Sequence, residues 1–200
     1  GSLEDALEIY RLAESYGVPC WSSSSLRYSP GILGMRNRED VGEVLGCSAF
    51  SPCSLEPHHP DLYWYGIHGV EILFTIMGPG CQSVSRVQSE GAEMVVGFWK
   101  DGRIGMFRGI REGKADYGAL VFGSKGIERS GSYEGYAPLV REIIEFFKTG
   151  KVPIPPEETI EIYAFMTAAD RSKEQGGNPV SIEETIQKAK SRNAKRGESR

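Results

Sequence analysis

The sequence predicts an α+β fold: an open, mainly antiparallel sheet with helices on one face. Three observations carry that expectation. Four apolar runs in the middle of the chain are separated by turn signals at strand spacing. Runs of helical periodicity bracket them on both sides. The central strands are apolar on both faces: Met94, Val96 and Phe98 fall on one side of their strand, Val95 and Trp99 on the other.

The first helix is expected from about Leu3 to Tyr16. Ser2 is its N-cap, Leu3, Ala6, Leu7, Tyr10 and Ala13 share one face, and Gly17 and Pro19 end it. Val18–Leu26 reads as a short strand, Gly31–Glu39 as a second helical piece and Val44–Phe50 as a strand. Three prolines and two histidines make Ser51–Asp61 a loop. A helix follows over Tyr63–Met77, stopped by Gly78-Pro79-Gly80.

The β-rich middle comprises Ser83–Glu90, Glu93–Trp99, Arg103–Arg111 and Tyr117–Gly123, with Lys100-Asp101-Gly102 as a hairpin turn. Strands joined this closely are expected to pair antiparallel. Helices then fit Tyr136–Lys148, closed by Gly150, and the stretch opened by Pro155-Pro156. A capping box of Ser181 and Glu184 starts the last helix, and residues 188–200 read as a polar, fraying tail. Two-sided apolar strands need two covers. One is the helices. The other is either more of the same chain or a partner copy, the latter giving a homodimer or higher oligomer through the sheet.

At 200 residues and 40% hydrophobic, the chain can bury a substantial core. A formal net charge of −4 argues against a broad nucleic-acid or anionic-membrane surface, so neither partner is expected. No apolar run reaches membrane-spanning length and no export signal is visible, which points to the cytoplasm. The initial Gly-Ser without Met reads as a cloning scar, which would have removed any native signal. The four cysteines form no C-x-x-C pair and read as buried thiols.

The chemistry concentrates around His68. Glycines at 66 and 69 clear space beside its ring on this reading, and Glu71 lies one helical turn away. A histidine with a carboxylate near a helix start suits proton transfer, because its pKa lies near neutrality. A half-buried structural histidine is the competing reading. His58, His59 and Asp61 match no zinc spacing, so no metal is expected. No P-loop, no G-x-G-x-x-G and no G-x-S-x-G elbow occurs, so no cofactor-binding residue is assigned in this chain.

Four segments resemble the Gfo/Idh/MocA oxidoreductases, the family of glucose–fructose oxidoreductase and inositol dehydrogenase. Ser2-Leu3-Glu4-Asp5-Ala6 resembles the helix after that family's Glu-Lys-Pro motif, and Ser25-Leu26-Arg27-Tyr28-Ser29-Pro30 its crossing segment. Gly42-Glu43-Val44-Leu45-Gly46 resembles the entry to its C-terminal domain. Tyr65-Gly66-Ile67-His68-Gly69-Val70-Glu71 resembles the helix with its catalytic histidine. Two positions depart from the pattern: Trp64 and Glu71 stand where the family often has aspartates.

The resemblance implies a remnant of a Rossmann domain over 1–30 and a substrate-binding and oligomerisation domain over 31–187. The family lysine and glycine-rich loop would precede Gly1. The parent protein would then be an NAD- or NADP-dependent oxidoreductase acting on a sugar, cyclitol or related alcohol by hydride transfer. His68 would be its general acid/base, Tyr63, Tyr65 and Glu71 would line the sugar site, and Arg27 would tie the domains together. The isolated chain would bind no cofactor and be inactive. The alternatives are a non-catalytic binding or assembly module, and a relative that uses NAD transiently for elimination or glycoside hydrolysis.

Overall fold

The computed structural model describes residues 1–198. Helix α1 (Leu3–Ser15) starts where expected, with the Ser2 hydroxyl accepting the Asp5 N–H at 3.1 Å. The expected strand over Val18–Leu26 does not form. The segment is extended coil leading to a 3-10 turn, Ser25–Tyr28. Pro19 lacks a donor, and the serines satisfy the backbone locally: the Ser24 hydroxyl caps the turn by accepting the Leu26 N–H at 3.3 Å. The second helical piece is the short helix α2 (Pro30–Leu33) and a further 3-10 turn, Gly34–Asn37.

Seven strands make one sheet: β1 (Val44–Pro52), β2 (Cys81–Gln88), β3 (Ala92–Trp99), β4 (Ile104–Ile110), β5 (Gly118–Gly123), β6 (Ile127–Arg129) and β7 (Val180–Ser181). Their spatial order is β6-β5-β1-β4-β3-β2-β7. β2, β3 and β4 pair antiparallel in sequence order, as their tight turns demand. β4 and β5 do not pair with each other. β1 lies between them, parallel to β4 with Ala49 opposite Phe107, and antiparallel to β5 with Ala49 opposite Ala119. The sheet is therefore mixed, and the only parallel pairing among the described residues is the one sequence adjacency could not reveal.

The alternation separates two faces. Val84, Val95, Phe107, Cys47, Ala49 and Val121 point to the helical side and are buried. There α3 (Gly66–Met77) lies over β1 and β4, and α5 (Pro156–Glu174) over β2. Val70, Leu73 and Phe74 of α3 are fully buried, each worth about 1.5–3 kcal/mol of transfer free energy. Helix α4 (Ala137–Thr149) packs against the Ser25–Tyr28 turn instead of covering the sheet. On the other face Phe98, Ile104, Leu120 and Phe122 remain exposed.

Helix α6 (Ile182–Glu198) runs back along α1, with the Ser181 hydroxyl accepting the Glu184 N–H at 3.3 Å. The polar segment from Lys188 is helical through Glu198. Ala189 packs into the core, and Arg192 and Asn193 reach Glu4. The rest of the predicted tail, Ser199 and Arg200, lies outside the described residues. No described helix is long and apolar enough to cross a membrane.

Candidate active site

His68 occupies the first turn of α3 and is half-buried. The neighbouring glycines do not clear space beside its ring. A Cβ on Gly69 would stand 2.2 Å from Phe107 Cε2 and 2.7 Å from Ser51 Oγ, and one on Gly66 would stand 3.1 Å from Leu62 Cδ2 and 3.2 Å from Cys53 Sγ. Their role is to let the helix start press onto the sheet, which fixes where His68 emerges.

Glu71 does not touch His68 directly. Its buried carboxylate accepts the Ser23 hydroxyl and the Ser24 N–H, both at 2.7 Å, and Arg27 Nε at 3.1 Å. Arg27 Nη1 continues to Glu158 Oε1 at 2.7 Å. Removing one partner from such a buried pair leaves an uncompensated charge, so the network holds the Ser23–Ser24 backbone firmly. The Ser24 hydroxyl then meets His68 Nδ1 at 3.0 Å. Glu71 thus acts on His68 through Ser24, and Arg27 serves as an internal anchor for that segment.

With Nδ1 engaged, Nε2 is the ring nitrogen available for proton exchange. When the Ser24 hydroxyl donates to Nδ1, Nε2 carries the proton; when Nδ1 donates to Ser24, Nε2 is a base. Burial pulls the His68 pKa below its ordinary value of 6.5, against the opposing pull of Glu71, so the neutral imidazole predominates near neutrality.

Around this ring stand phenols. The Tyr65 ring lies 5.7 Å from His68 and the Tyr117 ring 6.1 Å, both edge-on. Tyr133 lies 6.4 Å from Tyr117 and its hydroxyl 3.1 Å from Ser25 Oγ. Burial, followed by the proximity of Tyr65, Tyr133 and Tyr136, raises the Tyr117 pKa. The segment carrying Tyr133 crosses α2 where Gly31 meets Gly131: a Cβ on Gly31 would stand 2.6 Å from the Gly131 Cα.

Of the residues expected to surround His68, Tyr65 does so. Tyr63 turns away, its hydroxyl 2.6 Å from Thr167 Oγ1 and 3.2 Å from the Tyr163 carbonyl on α5. Sequence reasoning missed Ser24, Tyr117 and Tyr133. Ser24 lies 44 residues from His68, and only the serine run at 22–25 hinted at it. Two grooves of about 620 and 560 Å³ flank α6, and His68 lines neither. They are bordered by mixed surface charges such as Glu8, Arg11, Lys100 and Glu157, without a comparable proton-transfer constellation. Among the described residues no group of three His, Cys, Asp or Glu side chains could hold a metal ion. No glycine-rich strand–loop–helix that would cradle a dinucleotide occurs among them either, since the first strand is β1.

No family model and no curated protein sequence matches the chain. Solved structures do. GenD2 from gentamicin A biosynthesis, in complex with NAD, superposes with a TM-score of 0.74 at 17% identity, over 90% of this chain and 68% of that one. The apo scyllo-inositol dehydrogenase of Lactobacillus casei gives 0.73 at 11% identity, over 90% and 69%. An oxidoreductase of Agrobacterium radiobacter, in complex with NAD+, L-tartaric acid and magnesium, gives 0.70 at 14% identity, over 90% and 70%. At such identities the likeness is one of architecture, and it establishes that this chain has the fold of the Gfo/Idh/MocA-type oxidoreductases.

Proposed function

We propose that this chain is the substrate-binding and proton-transfer part of an NAD- or NADP-dependent oxidoreductase that acts on a sugar or cyclitol hydroxyl. One observation carries the reading: a histidine, held at Nδ1 by a hydroxyl that a buried ion network immobilises, stands among phenol side chains. That arrangement suits a polyol, whose hydroxyls accept and donate to phenols and whose ring face stacks on them. In alcohol oxidation His68 Nε2 takes the hydroxyl proton; in carbonyl reduction it returns one. Tyr65, Tyr117 and Tyr133 orient the substrate, and Ser24 sets the tautomer. A nicotinamide would supply the hydride chemistry, and residues 1–30, whose helix and crossing segment resemble those at the end of the family's Rossmann domain, are proposed as the last piece of a nucleotide-binding domain.

The exposed apolar face of the sheet supports self-association. Phe98, Ile104, Leu120 and Phe122 form a patch that a two-fold pairing would cover by using it twice.

The deciding experiment is NAD(P)-linked turnover of a cyclitol and sugar panel by the full-length protein and its His68→Asn variant. A loss of about 10²- to 10⁴-fold in kcat/KM is expected. Turnover near that of the unaltered protein would refute the assignment.

A further inference from the structure

A second charged cluster lies where β2, β3, α5 and the 3-10 turn Asp61–Tyr63 meet. The Arg86 side chain is fully buried at its centre. Its Nη2 faces Asp61 Oδ1 at 3.1 Å and pairs with Glu93, and its Nη1 reaches Asp170 Oδ1 at 2.5 Å. Lys173 Nζ meets Asp61 Oδ2 at 2.6 Å. Arg111, just beyond β4, pairs with Glu93, which also accepts from Cys53 Sγ at 3.6 Å. The Tyr63 phenol lies within electrostatic reach of Asp170. Three cations thus face three carboxylates, and Asp61 and Asp170 draw on the same two, Arg86 and Lys173. Asp61 opens the segment that continues through Tyr65 into α3 and His68.

We propose that Asp170 and Arg86 are positioning residues for the candidate active site: an uncharged Asp170 leaves Arg86 and Lys173 to Asp61 and clamps the Asp61–Tyr65 segment beside His68, whereas an ionised Asp170 competes for those cations and loosens it. The two carboxylates behave oppositely, as the clamp requires. Burial pushes Asp170 up to about 7; Asp61 adds to the rise, and Arg86 and Lys173 only partly oppose it. Burial also raises Asp61, but Lys173 and Arg86 outweigh this and hold it below its ordinary value. Linkage is reciprocal: if docked Asp61 tightens the hold of Asp170 on its proton, that proton tightens the docking of Asp61. The segment is therefore clamped below about pH 7 and loosened above it. The consequence for turnover rests on His68 being the proton-transfer group; the clamp itself does not.

Hydrogen exchange of peptides spanning 55–65, compared at about pH 6 and pH 8 after correction for intrinsic exchange, tests the clamp without a substrate. In the unaltered protein, protection is expected to be roughly 5-fold or more lower at the higher pH. Asp170→Asn should stay protected at both. A His58→Gln/His59→Gln variant should keep the pH response, since those imidazoles sit in the same peptides. A flat response in the unaltered protein, or an unchanged response in Asp170→Asn, overturns the proposal. Should Asp170→Asn fail to fold, carbon-13 titration of Asp170 in Asp61→Asn gives the reciprocal result. Its midpoint must fall toward the ordinary aspartate range, and an unmoved midpoint overturns the clamp. A pH-dependent clamp alongside full turnover in His68→Asn would sink the function reading alone.

Discussion

Gly69 tests how the sheet sets the position of His68. In Gly69→Ala the new Cβ would stand 2.2 Å and 2.6 Å from two carbons of the Phe107 ring and 2.7 Å from Ser51 Oγ. Phe107 and Ser51 are fully buried, so neither can swing into solvent. Two effects oppose each other. Alanine gains about 1 kcal/mol in helix propensity over glycine. Overpacking costs about 1–3 kcal/mol, occasionally more. A ring contact more than roughly 1 Å inside normal carbon–carbon separation puts the second effect at or above the top of its range, so a net loss of about 2 kcal/mol is expected. For a chain of this size that lowers Tm by roughly 4–8 °C. Gly66→Ala is the matched control: its nearest contacts, 3.1–3.3 Å to Leu62 and Cys53, need only a small adjustment. It should stay within about 0.5 kcal/mol of the unaltered protein. Thermal and urea melts of both variants decide. If Gly69→Ala melts with the unaltered protein, or Gly66→Ala costs more, the account of how α3 seats His68 is wrong.

Two further outcomes follow from the same geometry. Because burial lowers the His68 pKa, its contribution to stability is fully present above 6.5 and is lost as pH falls; in the oxidative direction kcat/KM should rise with pH through a midpoint below 6.5, and His68→Asn should erase that limb. On the sheet, Phe98→Asp or Ile104→Asp, at 40% and 52% exposure, should reduce the mass seen by light scattering while leaving the fold intact, whereas Val95→Asp or Phe107→Asp, at zero exposure, should unfold the chain; a monomeric mass for the unaltered protein at tens of micromolar would refute the proposed pairing.

Much of this fold follows from local signals. The Ser2 cap, the Asp101-Gly102 turn, the Gly150 stop and the two-residue alternation of β3 and β4 are set by neighbouring residues, and each appears as expected. Where the local signal conflicted with itself, as in the apolar but proline- and serine-interrupted run Val18–Leu26, the backbone followed proline and serine chemistry. Alternation showed that β3 and β4 have two apolar faces but not which one the helices cover, because the pattern is nearly symmetric between Val95 and Val96. The insertion of β1 between β4 and β5 is a long-range pairing that leaves no local trace.

The candidate site divides in the same way. His68 and Tyr65 were legible because they share one helix start with recognisable neighbours. The glycines beside His68 were legible too, but their purpose was not: only the packed sheet shows Phe107 filling the space at Gly69. Tyr63 precedes Tyr65 by two residues, yet the turn at Asp61–Tyr63 sends its hydroxyl to α5. Ser24 and Tyr117 reach the imidazole from two distant segments, Tyr133 backs Tyr117 from a third, and the carboxylates that hold the Ser24 segment, Glu71 and Glu158, are joined through Arg27. Sequence by itself determined the elements and the group that can carry a proton. Tertiary structure decided which ring nitrogen is left free to exchange it, which phenols surround it and which face of the sheet stays open, because each depends on contacts between residues that only the closed chain brings together.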